Sequence, residues 1–417
     1  MNKNQHIPQG YKSSPLGIIP EDWEVKRLGE VCTRITDGTH GTPEKQKNGI
    51  PYLTAIHIKD GVIDYNNCYY LTEEDHKEIY QRCNPEFGDI LMVNIGAGVG
   101  SVAMNRVDYE FSLKNVALLK PKKNILMGEF LESYLLFSKS RNLHSLLNGG
   151  AQPFWGLDDI KKLHILLPPL SVQNKITMVL QLWDTAIEKQ TQLVEKLTLR
   201  KRGLMQQLLT GKKRLKGFEG EWKEVKLGEI GTRITRKNSE DNKNVVTISA
   251  QRGFVIQTDF FSKSIASEVL DNYYLVHRNE FCYNKSYSNG YPMGAIKRLK
   301  TFDKAVVTTL YICFKLKDKP ETDIDFFEQY CESGLLNKEL IKVANEGGRA
   351  HGLLNVTPDD FFNMRMRIPN HKEQNAIASV LIQADKEIDL ANKKLSQLQA
   401  QKRGLMQVLL TGKKRVK

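Results

Sequence analysis

Two stretches of the chain carry apolar residues spaced alternately by four and by three positions. The first stretch has Ile176, Leu180, Trp183, Ile187, Val194 and Leu197 in this spacing, with polar Gln190 at one position of the series. The second has Ile377, Leu381, Ile388, Leu395 and Leu398, with the small residues Ala384 and Ala391 at the positions between them. This spacing predicts an amphipathic α-helix with a heptad seam. Each predicted helix has about 39 residues, which gives about 58 Å at about 1.5 Å per residue. Because an amphipathic helix needs a partner for its apolar face, we expect the two to pair as a coiled coil.

Two other segments, 20–168 and 217–369, have short apolar or alternating runs that are separated by turn signals. Strands are predicted at 90–94, 116–119, 245–248 and 310–314. Helices are predicted at 130–147 and 326–343. Each segment is therefore predicted to be an α+β globule.

The end of the first predicted helix is repeated at the end of the second. Residues 201–216 read KRGLMQQLLTGKKRLK and residues 402–417 read KRGLMQVLLTGKKRVK, so fourteen of sixteen positions are identical. The starts of the two globules also match, because Trp23, Leu28-Gly29-Glu30 and 33–36 return as Trp222, Leu227-Gly228-Glu229 and 232–235. The interiors of the globules differ much more. Similar ends with divergent interiors indicate that the two globules are duplicated domains, which perform the same kind of function on different targets.

The net charge of +13 is concentrated in the two repeated helix ends. Segment 199–216 carries seven Lys or Arg residues and segment 399–417 carries six, and neither has an acidic residue. Basic clusters attract polyanions such as nucleic acid. Cations at a helix C-terminus are also stabilised by the helix macrodipole. Both interpretations fit the sequence.

Several classes of protein are disfavoured by the composition. No stretch approaches the roughly 18 apolar residues of a membrane span, and the N-terminus has no apolar signal core, so we expect a cytoplasmic protein without membrane contact. The six cysteines form no Cys-x-x-Cys pair and no zinc-like cluster with histidine. We expect them to be reduced and mostly buried.

The run at 96–100, Gly-Ala-Gly-Val-Gly, is the motif most similar to a nucleotide or S-adenosylmethionine loop. A helix should follow such a loop, with an acidic residue about 20 positions further on. Here a strand-like run follows, and position 120 is Lys. We therefore expect no catalytic centre, no metal and no cofactor in this chain.

Two polar, Gly-containing stretches have the residue types that contact DNA bases and phosphates. In the first globule this is the loop at 36–49. In the second it is the loop at 284–291, with Arg236, Lys237 and Arg252 in support and Arg349 after a Gly-Gly pair. The candidate DNA-binding residues are Thr39, His40, Lys45, Lys47, Arg236, Lys237, Arg252, Lys285, Ser286, Tyr287, Asn289 and Arg349. For any single residue, an ordinary exposed loop is the competing interpretation.

These features together resemble the specificity (S) subunit of type I restriction-modification systems. The resemblance rests on two variable globules that alternate with two near-identical helices ending in Leu-Leu-Thr-Gly-Lys-Lys-Arg. It also rests on the globule starts at 19–23 and 221–222 and on the helix entry at 167–173, and it covers nearly the whole chain. The loop at 37–40, Asp-Gly-Thr-His, is similar to one found in the family's target-recognition domains.

The resemblance implies an architecture and a set of partners. Segment 1–19 would be N-terminal, 20–168 and 217–369 would be target-recognition domains, and 169–216 and 370–417 would be spacer helices. The implied fold is α+β, with the helices in an antiparallel coiled coil and pseudo-twofold symmetry. Each domain would recognise half of a bipartite site in double-stranded DNA. Two modification subunits would bring S-adenosylmethionine, and two ATP-dependent restriction subunits could join them.

Three alternatives remain open in the sequence. The chain could serve a system in which a single partner both methylates and cleaves DNA. It could be a catalytic DNA methyltransferase or nuclease, although a complete cofactor loop and catalytic motif are missing from the sequence. It could also be a coiled-coil scaffold whose globules bind proteins.

Overall fold

The computed structural model of the chain describes residues 7–96, 98–144, 154–257, 270–318, 321–346 and 354–416. The chain forms two compact units. The first consists of Met1–Gln190 and Lys394–Lys417, and the second is Thr191–Lys393. Each unit therefore contains one globule and parts of both long helices. Among the described residues, no helix is long and apolar enough to cross a membrane.

The first globule mixes short strands and helices along the chain, as the sequence predicts. Its elements are β1 (Tyr11–Ser14), β2 (Gly17–Pro20), β3 (Glu24–Arg27), α1 (Leu28–Val31), β4 (Cys32–Asp37), β5 (Ile50–Thr54), β6 (Ile58–Lys59), β7 (Val62–Ile63), β8 (Tyr69–Leu71), α2 (Glu73–Arg82), β9 (Ile90–Met92), β10 (Val102–Met104), β11 (Ser112–Lys114), β12 (Ala117–Pro121), α3 (Gly128–His144), α4 (Leu157–Lys162) and β13 (His164–Leu167).

The second globule follows the first long helix, α5 (Leu170–Leu208), and precedes the second, α10 (His371–Leu409). Its elements are β14 (Lys223–Lys226), α6 (Leu227–Ile230), β15 (Gly231–Ile234), β16 (Val246–Ser249), β17 (Gly253–Ile256), β18 (Tyr274–His277), β19 (Phe281–Asn284), β20 (Ala295–Arg298), β21 (Lys304–Val307), β22 (Ile312–Leu316), α7 (Ile324–Glu332), α8 (Asn337–Val343), β23 (Asn345–Glu346), β24 (Leu354–Asn355), α9 (Pro358–Asn363) and β25 (Arg365–Ile368).

The central sheet has the same strand order in both globules. In the first it is β4-β12-β9-β10 and in the second β15-β22-β19-β20, with antiparallel pairing throughout. A two-stranded ladder at the domain entrance also recurs, as β3 with β13 and as β14 with β25. The α+β fold predicted for both segments is confirmed. The frame is thus shared in three dimensions although the interior sequences diverge.

The long helices pack against the globules and against each other within each unit. In the first unit, the start of α5 (Ile176, Leu180) and residues at the end of α10 (Leu409, Leu410) share one apolar cluster. In the second unit, Leu208 near the end of α5 clusters with Leu381 near the start of α10. In each unit, the end of one long helix therefore packs beside the start of the other. The predicted antiparallel pairing is therefore confirmed within each unit.

A buried glutamine fastens the start of each long helix to its globule. Gln173 donates to the carbonyl oxygens of Ile125 and Pro168, both at 2.8 Å, and accepts from the Met127 amide at 2.9 Å. Gln374 makes the same three bonds to Glu321, Pro369 and Asp323. Both side chains are fully buried, so each amide has both donors and its acceptor satisfied.

One local prediction is wrong. The helix predicted at 326–343 is two helices, α7 and α8, because the chain turns at Gly334, whose φ of +73° favours glycine. At the start of α10, the side chains of Asn370 and Glu373 do not form a reciprocal capping box. Asn370 Oδ1 accepts from the Glu373 amide at 3.0 Å, but the Glu373 carboxylate binds Arg214 instead.

Candidate nucleic-acid interface

The predicted DNA-binding loop of the first globule leaves the central sheet at the end of β4. The amide of Thr39 donates to the Leu113 carbonyl at 2.9 Å, and the amide of Asn115 donates to the Thr39 carbonyl at 3.2 Å. These bonds hold Gly38 so close to β11 that a Cβ atom would lie 2.1 Å from the Leu113 oxygen. Only glycine fits there. The loop is therefore fixed at its base by β11 and by the turn that follows β11.

His40 is held by two side chains of the first globule. Its Nδ1 lies 2.8 Å from Asn115 Oδ1, and its Nε2 lies 3.0 Å from Asp37 Oδ2. The ring is about half exposed, whereas Asp37 is buried. The other oxygen of Asp37 accepts from Arg82 Nη2 at 2.8 Å. With both ring nitrogens engaged inside the domain, His40 fixes the shape of the loop.

The other predicted residues of this loop lie at its surface. Lys45 is exposed and its Nζ lies 3.4 Å from the centre of the Tyr69 ring, a cation–π contact. Lys47 is exposed, and Thr39 is half-buried with its hydroxyl accepting from the Gly41 amide at 3.0 Å. Lys114, which the sequence analysis did not single out, donates to Thr42. The loop thus presents amide, hydroxyl and cationic groups on a fixed backbone.

In the second globule, two predicted cations lie just beyond the end of β15. Arg236 Nη2 donates to Glu280 Oε2 at 2.7 Å, and Glu280 is buried. The same carboxylate oxygen accepts from the His277 amide at 2.6 Å. Lys237 donates to the Asn272 carbonyl at 2.7 Å and lies 4.8 Å from the centre of the Tyr274 ring. Arg236 is therefore oriented by a carboxylate that is itself fixed.

The loop at 284–291 carries the remaining predicted residues of the second globule that the structure describes. Ser286 donates its amide to Asn284 Oδ1 at 3.0 Å. Tyr287 is 64% exposed and Asn289 is exposed as well. Lys285 turns inward, with Nζ 3.5 Å from the Val356 carbonyl, and burial lowers its pKa. Lys285 is thus the least suited of the set to contact a phosphate.

Arg252 lies beside this loop. Its neighbour Gln251 donates to the Asn289 carbonyl at 3.0 Å, and Arg252 lines a groove of about 360 Å³ together with Tyr291 and Lys297. Lys297 donates to Glu332 at 2.6 Å and to the Tyr291 hydroxyl at 3.2 Å. The Tyr291 hydroxyl also donates to Glu332 at 2.9 Å, and this part-buried contact links the end of the loop to α7. Arg349 lies outside the described residues.

The sequence analysis missed Arg82 and Arg34 of the first globule. Arg82 is the last residue of α2, and Arg34 on β4 donates to its carbonyl oxygen at 2.7 Å. Neither belongs to the Gly-containing loop, so no local pattern marks them. The tertiary structure brings the end of α2 to β4, where Arg82 contacts both Asp37 and Arg34.

The basic helix ends divide into paired and exposed cations. Arg214 donates two hydrogen bonds to the Glu373 carboxylate, at 2.5 and 2.6 Å, and this contact raises the pKa of Arg214. Arg415, the repeat-equivalent residue, binds Asp22 in the first unit. By contrast, Lys212, Lys213, Lys413 and Lys414 are exposed. The repeated ends therefore serve a structural role and leave a cationic surface as well.

The predicted seam residues are buried near the globules and half-buried further away. Ile176, Leu180, Ile377 and Leu381 are buried. Half-buried are Trp183, Ile187, Val194, Leu197, Ile388, Leu395 and Leu398. Lys201 and Lys402 interrupt the seam, and each binds an aspartate of the opposite helix: Lys201 binds Asp385, and Lys402 binds Asp184.

The described part of the chain contains no cluster of three or more His, Cys, Asp or Glu residues that could hold a metal ion. Five of the six cysteines are buried and the sixth, Cys331, is partly buried, as the sequence predicts. Within the Gly-rich run, residues 98–100 form a turn that leads into β10. The strand predicted after this run is confirmed.

The family described as Type I restriction modification DNA specificity domain matches the chain twice, at residues 20–198 and 219–400. The chain belongs to this family. It is a specificity subunit of a type I restriction-modification system. The two matches coincide with the two globules and the adjoining parts of the long helices. The specificity subunit therefore contains the family's domain twice.

Curated relatives agree with this assignment, and a solved structure has the same fold. A Methanocaldococcus jannaschii protein assigned as the MjaX specificity subunit of a type I restriction enzyme is 29% identical, over 98% of this chain and 97% of the relative. The MjaVIII specificity subunit of the same organism is 24% identical, over 96% and 94%. The crystal structure of a type I S subunit from M. genitalium has the same fold, with a TM-score of 0.54, 17% identity, and coverage of 93% and 96%.

Proposed function

We propose that each globule of this specificity subunit recognises one half of a bipartite site in double-stranded DNA. The observation that carries this proposal is the shared sheet order, β4-β12-β9-β10 and β15-β22-β19-β20, around loops of unrelated sequence. A shared sheet holds the loops in the same place, and different loops present different donors and acceptors. Such an arrangement suits two independent sets of base contacts.

The long helices set the distance between the two half-sites and bind two modification subunits. Two features support this role: the near-identity of the helix ends at 201–216 and 402–417, and the exposed apolar side chains on α5. Met178 and Leu182, one turn apart, are 61% and 70% exposed. Exposed apolar residues in contiguous patches are typical of protein interfaces. This apolar pair is not repeated, because Ser379 and Gln383 stand at the equivalent positions of α10. The near-identical helix ends are therefore the surface that suits two copies of one partner.

The chain itself carries no catalytic centre in this proposal. S-adenosylmethionine binds the modification subunits, which methylate DNA where the specificity subunit directs them, and two restriction subunits can join the complex. The Gly-rich run leads into a strand instead of a helix, which supports the absence of a cofactor loop. The purified chain should neither bind labelled S-adenosylmethionine nor transfer its methyl group, and either activity would contradict this part.

Exchange of one globule tests the recognition proposal. Residues 20–168 are replaced by the equivalent domain of a relative, and the chain is expressed with its modification subunits. Single-molecule sequencing then gives the methylated motif. One half of the motif should change and the other half should stay the same. The matched control replaces 217–369, which should change only the other half.

Two outcomes would contradict the proposal. A motif in which both halves change after either exchange would show that the globules do not recognise DNA independently. Methylation without any sequence motif would show that the chain does not specify the target. A protein-binding scaffold would give the second outcome.

A further inference from the structure

Asp37 is a buried carboxylate that orients two half-exposed side chains at the surface of the first globule. Its Oδ1 accepts from Arg82 Nη2 at 2.8 Å, and its Oδ2 lies 3.0 Å from His40 Nε2. Asp37 is 7% exposed, while the side chains of His40 and Arg82 are 53% and 51% exposed. Burial of a carboxylate is costly unless both oxygens are bound. The same arrangement that satisfies Asp37 fixes Arg82 in space.

The guanidinium of Arg82 keeps a free donor edge. Among the residues that the structure describes, the guanidinium contacts Asp37 through one nitrogen, Nη2. A guanidinium carries five N–H donors in a rigid, planar arrangement. Because Asp37 uses one nitrogen, Arg82 keeps two donors that can bind a pair of acceptors on a ligand. His40 has both ring nitrogens engaged, with Asn115 and Asp37. Of the two side chains that Asp37 orients, Arg82 is therefore the one with donors left for a ligand.

The second globule repeats this arrangement with the residues exchanged. Asp37 follows Thr-Arg-Ile-Thr at 33–36, and Arg236 follows the same four residues at 232–235. In the first globule the carboxylate lies at this position and the arginine comes from α2. In the second globule the arginine lies there, and the buried carboxylate is Glu280, 7% exposed. A carboxylate-oriented, partly exposed arginine at the end of the first sheet strand is thus common to both.

We propose that Arg82, oriented by Asp37, recognises a guanine in the half-site of the first globule. Guanine presents two acceptors, O6 and N7, in the major groove, and a fixed arginine fork matches them. Orientation by a buried carboxylate favours a base edge over a phosphate, because a phosphate contact needs no fixed fork. Asp37 acts as a positioning residue. This inference rests on the proposed function, since it assigns one contact within the first half-site.

The test is the base preference of three variants. The complex of the full chain with its modification subunits is bound to a pool of randomised duplexes, and the bound duplexes are sequenced. Arg82→Ala and Arg82→Lys should each lose the preference for one G·C pair in the half-site of the first globule, by roughly 5- to 150-fold. Asp37→Asn should weaken the preference at that same pair. The half-site of the second globule should be unchanged.

Lys77→Ala is the matched control, because Lys77 is an exposed cation on the same helix. It should select the wild-type motif. Arg82→Lys keeps the charge and lies at a half-exposed site, so it tests the proposal even if Asp37→Asn is unstable. An unchanged motif in both Arg82 variants would overturn the proposal, as would uniform weakening without a change in preference, which indicates a phosphate contact. If the wild-type complex selects no motif, the proposed function fails instead.

Discussion

Lys201 of the first long helix donates to Asp385 of the second at 2.5 Å. Lys402 is the repeat equivalent of Lys201, and Asp184 is the repeat equivalent of Asp385. These two residues form the same pair in the first unit. Each copy of the repeat thus contributes its lysine to one pair and its aspartate to the other. The two lysines that interrupt the apolar seam therefore help to set the register in which the two helices pair.

Charge reversal tests this register. Lys201→Glu faces Asp385 with a like charge and should lower the free energy of unfolding by about 1 kcal/mol, a modest amount because Asp385 is partly exposed. The double variant Lys201→Glu, Asp385→Lys should regain most of the loss. Chemical denaturation of the single and double variants measures the coupling. Lys213→Glu, at an exposed position, is the control, and equal losses in all variants would refute the pairing.

Gln374 should contribute more to stability than any surface ion pair. Gln374→Leu removes three buried hydrogen bonds and leaves two backbone carbonyls and one amide without that partner. We expect a loss of about 3 kcal/mol in the free energy of unfolding. Gln206→Leu, at an exposed position of α5, should change it by less than about 0.5 kcal/mol. Similar denaturation midpoints for the two variants would contradict the role of Gln374.

Much of this architecture could be predicted from the sequence, because it depends on local periodicity and on repetition. The spacing from Ile176 to Leu197 predicts α5, and the second copy predicts α10. The break at Gly334 could not be predicted, because the apolar spacing continues across it. The role of Arg82 could not be predicted either. Its partner Asp37 lies far away in sequence, and only tertiary folding brings them together.

The buried thiols make stability depend on alkaline pH. Burial raises the pKa of Cys32 and of Cys83 to about 12, from an ordinary value of 9.0. Because the folded pKa lies above the unfolded one, the stabilisation is complete below pH 9 and is lost as the pH rises towards 12. The free energy of unfolding should therefore fall above pH 9. The double variant Cys32→Ala, Cys83→Ala should show a shallower fall, and an identical pH profile would contradict this account.

The segment that follows α10 lies against the start of the first globule, as expected for antiparallel helices. Gly412 is so close to Pro20 that a Cβ atom would lie 2.4 Å from Pro20 Cδ, and Arg415 binds Asp22. We therefore expect a circular permutant, joined from Lys417 to the N-terminal segment by a short flexible linker and opened near Gly217, to fold and to keep its methylation motif. Insoluble protein or a different motif would count against this topology.

The central claim is that the globules define the two half-sites and the helices define their separation. Insertion of four residues after Gln190 lengthens α5 by about 6 Å, close to two base pairs at about 3.4 Å each. The same insertion after Ala391, the repeat-equivalent position of α10, is the companion variant. Each variant is expressed with its modification subunits, and the methylated bases are sequenced. The account predicts unchanged half-sites separated by a longer spacer, whereas full methylation with the original spacer would contradict it.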